Sequence, residues 1–320
     1  MSEIVLEAKD LRVHYHTKRG PVKAVDGVTF DLHEGETVGV VGETGSGKST
    51  LGKAILGLVP PRTKIRGSLL LRGRELTGLS DGEYRRLRGE DLALIFQDPM
   101  TRLDPLMTIR EHFIETLKSH DSAVSTEGAS KRAAEVLRSM GIPESRLDHY
   151  PHEFSGGMRQ RIMIAMALVL RPKLLVADEP TTSLDVIVEA QILEILRDLR
   201  RAYAMSVLLI THNLGIVAEV CDRTAVMYAG KIVELGPVDS VFRRPIHPYT
   251  QGLLASTIHL NTKELRSIDG LPPSLLNPPS GCRFHPRCAY AKEICAQQEP
   301  PMVEFRPGHF AACHFGGDFV

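Results

Sequence analysis

The chain has 320 residues, enough for one principal domain and an appended one, and 42% of them are hydrophobic, enough for a packed core. Lys+Arg and Asp+Glu both total 39, so the chain lacks the basic footprint of a dedicated polynucleotide binder, and no nucleic-acid partner is expected. The longest uninterrupted apolar run, Ile162 to Leu170, is well short of the roughly 20 residues that span a bilayer, so no membrane crossing is expected.

Met1 to Asp10 mixes Glu3, Glu7 and Lys9 into its apolar residues, without the basic and apolar segments of a secretory signal, which points to the cytosol. Short apolar runs then follow at Val38 to Val41, Leu92 to Phe96, Leu174 to Ala177 and Val207 to Ile210. They are brief enough for buried strands, and with helical patterns between them they predict an α/β fold on a largely parallel sheet. From residue 98 to about 157 the pattern becomes helical and more polar, with helices predicted over Ile109 to Leu117 and Lys131 to Met140; this reads as an inserted helical subdomain. After Asp185 a helix is predicted with Ile192, Ile195, Leu196 and Leu199 on its buried face. Ten of the twenty prolines lie between Pro245 and Pro307, a stretch without sustained periodicity, so the main domain is expected over 1–245 and an extension over 246–320.

Between the first of these strands and a helix lies Gly42-Glu-Thr44-Gly45-Ser46-Gly47-Lys48-Ser49-Thr50, the phosphate-binding loop pattern in its required context. Its glycines let backbone N–H groups face a phosphate, a helix amino terminus adds positive potential, Lys48 bridges β- and γ-phosphates, and Ser49 ligates magnesium. The third strand delivers Asp178 and Glu179 to its carboxyl end, where ligands of such sheets bind. Asp178 is expected to hold Mg2+ and Glu179 to act as the base on the attacking water. A strand-helix turn and an acidic loop are the ordinary explanations; the joint occurrence of both motifs disfavours them.

Phe154-Ser155-Gly156-Gly157-Met158-Arg159-Gln160 precedes a helix just ahead of the acidic strand. Here the sequence resembles the ATP-binding cassette family, whose LSGGQ-like signature it matches at Ser155, Gly156 and Gly157 and departs from at Phe154 and Met158. The other positions of that family follow in order. They are Tyr15 for adenine stacking, Gln97 as an ATP and magnesium contact, Ser183-Leu184-Asp185 with Asp185 in the D-loop, and His212 as a second catalytic residue. Alone, Tyr15 reads as core and His212 as a strand-end histidine. The resemblance implies a phosphate-binding-loop ATPase with a RecA-like core, an antiparallel β part and the inserted helical subdomain. It also implies that Ser155, Gly156 and Gly157 act on the nucleotide of a second ATPase subunit, most naturally a similar but distinct chain, in a head-to-tail dimer.

Downstream, His247-Pro-Tyr249-Thr-Gln-Gly-Leu-Leu and Pro278-Pro-Ser-Gly-Cys282-Arg-Phe-His-Pro-Arg287-Cys288 are similar to the tail of peptide-importer ATPases. That resemblance implies a peripheral subunit on the cytoplasmic face of the membrane, two transmembrane permease partners and an extracytoplasmic substrate-binding protein. Nickel and oligosaccharide importers share the tail and are the alternative cargo classes. A soluble ABC ATPase of repair or translation ordinarily adds a coiled coil, a second cassette or a basic surface, none of which occurs here. A switch without turnover conflicts with Glu179 and His212, and a kinase or GTPase leaves the Ser155 signature unexplained.

Cys282, Cys288, Cys295 and Cys313 crowd the carboxyl end, and in a reducing compartment they argue for metal ligation over disulfides. Structural zinc sites usually contain tighter pairs, and ferredoxin runs have other spacings, so spacing leaves Zn2+ and a 4Fe-4S cluster both open. The resemblance to cysteine-bearing members of the peptide-importer subfamily implies the 4Fe-4S cluster, with no part in hydrolysis because no ATP motif lies in the tail.

Overall fold

The computed structural model describes residues 3–95, 103–181, 185–256 and 267–316. They divide into two compact units, residues 1–79 with 208–320 (unit 1) and residues 80–207 (unit 2).

Unit 1 opens with two long strands, β1 (Ile4–Thr17) and β2 (Gly20–His33), an antiparallel pair. Leu6, Ala8, Leu11 and Val13 of β1 are all buried, although a regular strand would turn Ala8 and Leu11 to opposite faces. A bulge between them, with Asp10 in the left-handed region at φ 45°, restores the pattern. Next come β3 (Thr37–Val41), α1 (Lys48–Ile55), β4 (Lys64–Leu71) and β5 (Arg74–Glu75). β4 pairs with β1 and β5 with β4, giving an antiparallel sheet in the order β2-β1-β4-β5.

Unit 2 begins with α2 (Asp81–Leu87), started by a capping box between Ser80 and Glu83. β6 (Leu92–Ile95) follows and pairs in parallel with β7 (Leu174–Asp178), Leu92 opposite Leu174 and Ile95 opposite Ala177. Between them run α3 (Ile109–His120), α4 (Thr126–Ser139) and α5 (Gly156–Leu168). Thr108 and Glu111 form the capping box of α3, while α4 starts five residues before its predicted first residue because Ser125 accepts from Gly128 N and caps it there. Ile109, Phe113, Leu117, Ala133 and Leu137 are buried where α3 and α4 pack together. α6 (Val186–Tyr203) buries Ile192, Leu193, Leu196 and Leu199; Leu193 takes the place predicted for Ile195, which is only half-buried.

The chain passes back to unit 1 at the start of β8 (Ser206–Ile210) and continues through α7 (Leu214–Val220), β9 (Arg223–Tyr228), β10 (Lys231–Pro237), α8 (Val238–Arg243) and α9 (Pro248–Ala255). α10 (Glu293–Gln297), β11 (Val303–Arg306) and β12 (His309–Ala311) complete it. These strands run in the order β11-β12-β10-β9-β3-β8, with β3 parallel to β9 and β10 antiparallel to β9.

The residues after 245, expected as an extension, group with unit 1. β12 pairs with β10 through Glu234↔Ala311 and Leu235↔Phe310. Glu234, fully buried, accepts from Ile246 N, His247 N and His309 Nε2. A buried carboxylate with three donors is satisfied only while the tail is docked. Among the described residues no helix is long and apolar enough to cross a membrane.

Candidate nucleotide site

In unit 1 every residue of β3 is buried, which fixes the point from which the phosphate-binding loop departs. Gly42, Gly45 and Gly47 all have positive φ (149°, 80° and 109°), and at two of them a side chain has no room. A Cβ on Gly42 would run into Met227 O and one on Gly47 into Ala24 O. Gly47 is also the N-cap of α1, whose first turn holds no acidic residue to offset the positive end of the helix. Lys48 is 7% exposed, and its Nζ donates to Gly42 O at 2.7 Å, Glu43 O at 3.0 Å and Ser46 Oγ at 3.4 Å. These contacts hold the ammonium at the loop, where an anion would meet it. Ser46 is buried, with its N–H on Glu43 O and its carbonyl accepting from Gly230 N; Thr44 is exposed and Ser49 half-buried. Tyr15 Oη donates to Thr50 Oγ1 at 3.0 Å, tying β1 to the first turn of α1. His212, two residues past β8, is exposed, and Asn213 caps α7.

Unit 2 holds the other predicted residues. Asp178 ends β7 half-buried, and Glu179 follows at φ 50°, an uncommon conformation for a residue with a Cβ. Ser155 and Gly156 are exposed at the start of α5, where Ser155 is the N-cap and accepts from Met158 N at 3.4 Å. A Cβ on Gly157 would come within 2.8 Å of Val188 Cγ1, so this glycine permits close packing of α5 on α6. Asp185 caps α6 through Val188 N at 2.9 Å. Gln97, Ser183 and Leu184 lie outside the described residues.

The tail reaches the phosphate-binding loop, which its sequence did not announce. Arg287 Nη1 and Nη2 donate to Glu43 Oε2 and Oε1 at 2.7 and 3.0 Å, and Glu43 N donates to Tyr249 Oη at 2.9 Å. These partners are separated by 244 and 206 positions, so no local pattern marks them.

The four tail cysteines line one small cavity together with His247, Phe284 and Phe315. Burial raises the Cys282 thiol to about 11, with the neighbouring cysteines adding to it, and raises Cys288 and Cys313 as well. The predicted metal site is corrected in one respect. Among the described residues no group of three or more His, Cys, Asp or Glu side chains is arranged to hold a metal ion. Zinc needs its thiolates at about 2.3 Å from one centre, and these side chains do not converge in that way. His247, 1% exposed and pushed down to about 4 by burial, accepts from Tyr249 N and is therefore neutral.

This arrangement defines a phosphate-binding-loop nucleoside triphosphatase, and comparison with known proteins narrows the class. The ABC transporter family profile matches residues 25–182, and the profile for the oligopeptide/dipeptide transporter C-terminal region matches residues 233–295. The oligopeptide transport ATP-binding protein OppD of Bacillus subtilis is 50% identical over 313 residues, covering 96% of this chain and 87% of that protein. The dipeptide transport ATP-binding protein DppD of the same organism is 48% identical, covering 97% and 94%. Among solved structures, the ATP-binding cassette MJ0796, in a dimeric post-hydrolysis state bound to ADP and Pi, aligns with a TM-score of 0.65 and 27% identity. That alignment covers 73% of this chain and 98% of that one. The chain belongs to the ABC transporter ATPases, in the family of oligopeptide and dipeptide transport ATP-binding proteins.

Proposed function

We propose that this chain hydrolyses ATP on the cytoplasmic face of a membrane to drive import of di- or oligopeptides through two permease subunits fed by a binding protein. The observation that carries the nucleotide half of this reading is the Lys48 ammonium held by Gly42 O, Glu43 O and Ser46 Oγ within a loop of positive-φ glycines. The peptide half is supported by the match of the tail to the transporter-specific C-terminal region.

In this reading residues 1–245 form the nucleotide-binding domain, with the helical subdomain at about 98–157, and 246–320 the importer-type extension. The loop from Gly42 to Thr50 cradles the phosphates, Lys48 bridges β and γ, and Tyr15 stacks on adenine. Ser49, Gln97 and Asp178 hold magnesium, which when bound neutralises charge developing between the phosphates. Glu179 takes a proton from the attacking water, and His212 assists it at the γ-phosphate. Ser155, Gly156 and Gly157 complete the site of a second, similar ATPase, and Asp185 lies at that dimer interface. The experiment is reconstitution of the full complex in liposomes with labelled peptide, nickel and oligosaccharide offered in turn. Peptide accumulation strictly dependent on ATP supports the reading, and uptake of only one of the other cargoes replaces peptide with it.

Cys282, Cys288, Cys295 and Cys313 hold a 4Fe-4S cluster that staples residues from about Gly281 to His314. In support, all four line one small cavity. Thiols pushed up by burial also need a cationic centre to ionise. Anaerobically purified protein is expected to be brown, with broad absorption near ~400 nm and bound iron and sulfide, and Cys288→Ser to lose the colour. Colourless protein without iron or sulfide would remove the cluster from the account.

A further inference from the structure

The geometry assigns Arg287 and Tyr249 of the cysteine-bearing tail as positioning residues for the phosphate-binding loop: together they grip Glu43 and fix the carbonyl that holds the Lys48 ammonium. The inference rests on the loop being the nucleotide site, and it does not depend on what the four cysteines bind.

Glu43 is held at three points. Its carboxylate takes the bidentate fork of Arg287, its N–H donates to Tyr249 Oη, and its carbonyl accepts from Lys48 Nζ at 3.0 Å. The first two partners come from the tail and the third is the charge that faces the phosphates. Arg287 has no freedom left to move. Nε donates to Asp269 O at 2.8 Å, and Nη1 and Nη2 add Tyr228 Oη and Ile268 O to the two carboxylate oxygens, so all five N–H groups are engaged. Its side chain is 6% exposed, and the Glu43 side chain 26%. Phe284 packs against the rings of Tyr228 and Tyr249, with centroids at 5.2 and 5.4 Å, and Cys282 and Cys288 pack against the same cluster. A continuous packed path therefore runs from the cysteine cavity to the phosphate-binding loop within unit 1.

A plain surface staple would account for one ion pair, but not for its place. A carboxylate inside a phosphate-binding loop repels the polyanion the loop exists to hold, and pairing it with a guanidinium removes that repulsion. Coupling of this kind is reciprocal: if the tail sets the loop, nucleotide in the loop must stabilise the tail.

The test uses the purified full chain and the non-hydrolysable analogue AMP-PNP. In the wild type, AMP-PNP is expected to slow hydrogen exchange across residues 281–314, remote in sequence from every ATP motif. Arg287→Met is expected to weaken AMP-PNP binding by roughly 5- to 150-fold, the usual range of site-to-site coupling, and to abolish that tail protection. Adding Glu43→Gln to Arg287→Met is expected to recover part of the affinity by removing the bare carboxylate, while tail protection stays lost. Arg287→Lys keeps the charge but not the fork and should fall between, which covers the case in which the methionine variant fails to fold. Wild-type affinity in Arg287→Met, or no tail protection in wild-type protein that does bind AMP-PNP, overturns the inference alone. A wild-type chain that binds no nucleotide overturns the reading of the loop and the inference with it.

Discussion

Glu179→Gln is expected to leave ATP binding nearly intact in the assembled transporter and to lower turnover by roughly 100- to 10,000-fold, the usual cost of losing a general base. Glutamine keeps the size of the side chain and most of its hydrogen bonding, but it cannot take a proton from water. The backbone supports a local effect. Glu179 sits at φ 50° directly after a strand whose first four residues are fully buried, so β7 fixes the point from which it departs. Lys48→Ala should separate from it cleanly. Lys48 is nearly buried and its Nζ is held by three loop oxygens, so its removal is expected to take away the charge proposed to hold β- and γ-phosphate and to lower affinity itself. Equilibrium binding beside saturating-ATP turnover distinguishes the two, and wild-type turnover by Glu179→Gln would sink the role given to this residue.

Much of this site could be read from the sequence because its residues are local in the chain. The glycines, Lys48 and the strand before them fall within a dozen positions, and so do β7 and its acids. The same locality made β3, β6, β7 and β8 visible as short apolar runs, each reproduced to within a residue at its described end. What sequence reading lost is non-local. β1 and β2 show no clean alternation because the bulge at Asp10 shifts the register midway through β1. β12 was hidden because a strand of three residues is stabilised by its partner β10 and by the buried Glu234–His309 contact. The grip of Arg287 on Glu43 brings the tail to the nucleotide loop, a contact the sequence did not show. The tail holds no ATP motif, and a contact across 244 positions needs none.

Ser155→Arg is expected to abolish stimulated hydrolysis at the partner subunit's nucleotide while leaving ATP binding at this chain's own loop unchanged. The structure supplies a competing role for this serine, because its side chain caps α5 by accepting from Met158 N. Loss of a cap typically costs about 0.5–2 kcal/mol, which a helix of 13 residues packed through Ile162, Ile164, Ala165 and Leu168 should withstand. Ser155→Asp separates the two roles. Aspartate is as good a cap as serine, so α5 should be intact by circular dichroism and thermal melting. Its carboxylate, exposed at the start of α5 beside Gly156, would repel a γ-phosphate approaching from the partner, so hydrolysis should fall as steeply as in the arginine variant. If Ser155→Asp retains wild-type stimulated turnover while Ser155→Arg does not, the serine acts through its helix and not on phosphate. Full activity from a proven monomer would remove the need for a second chain altogether.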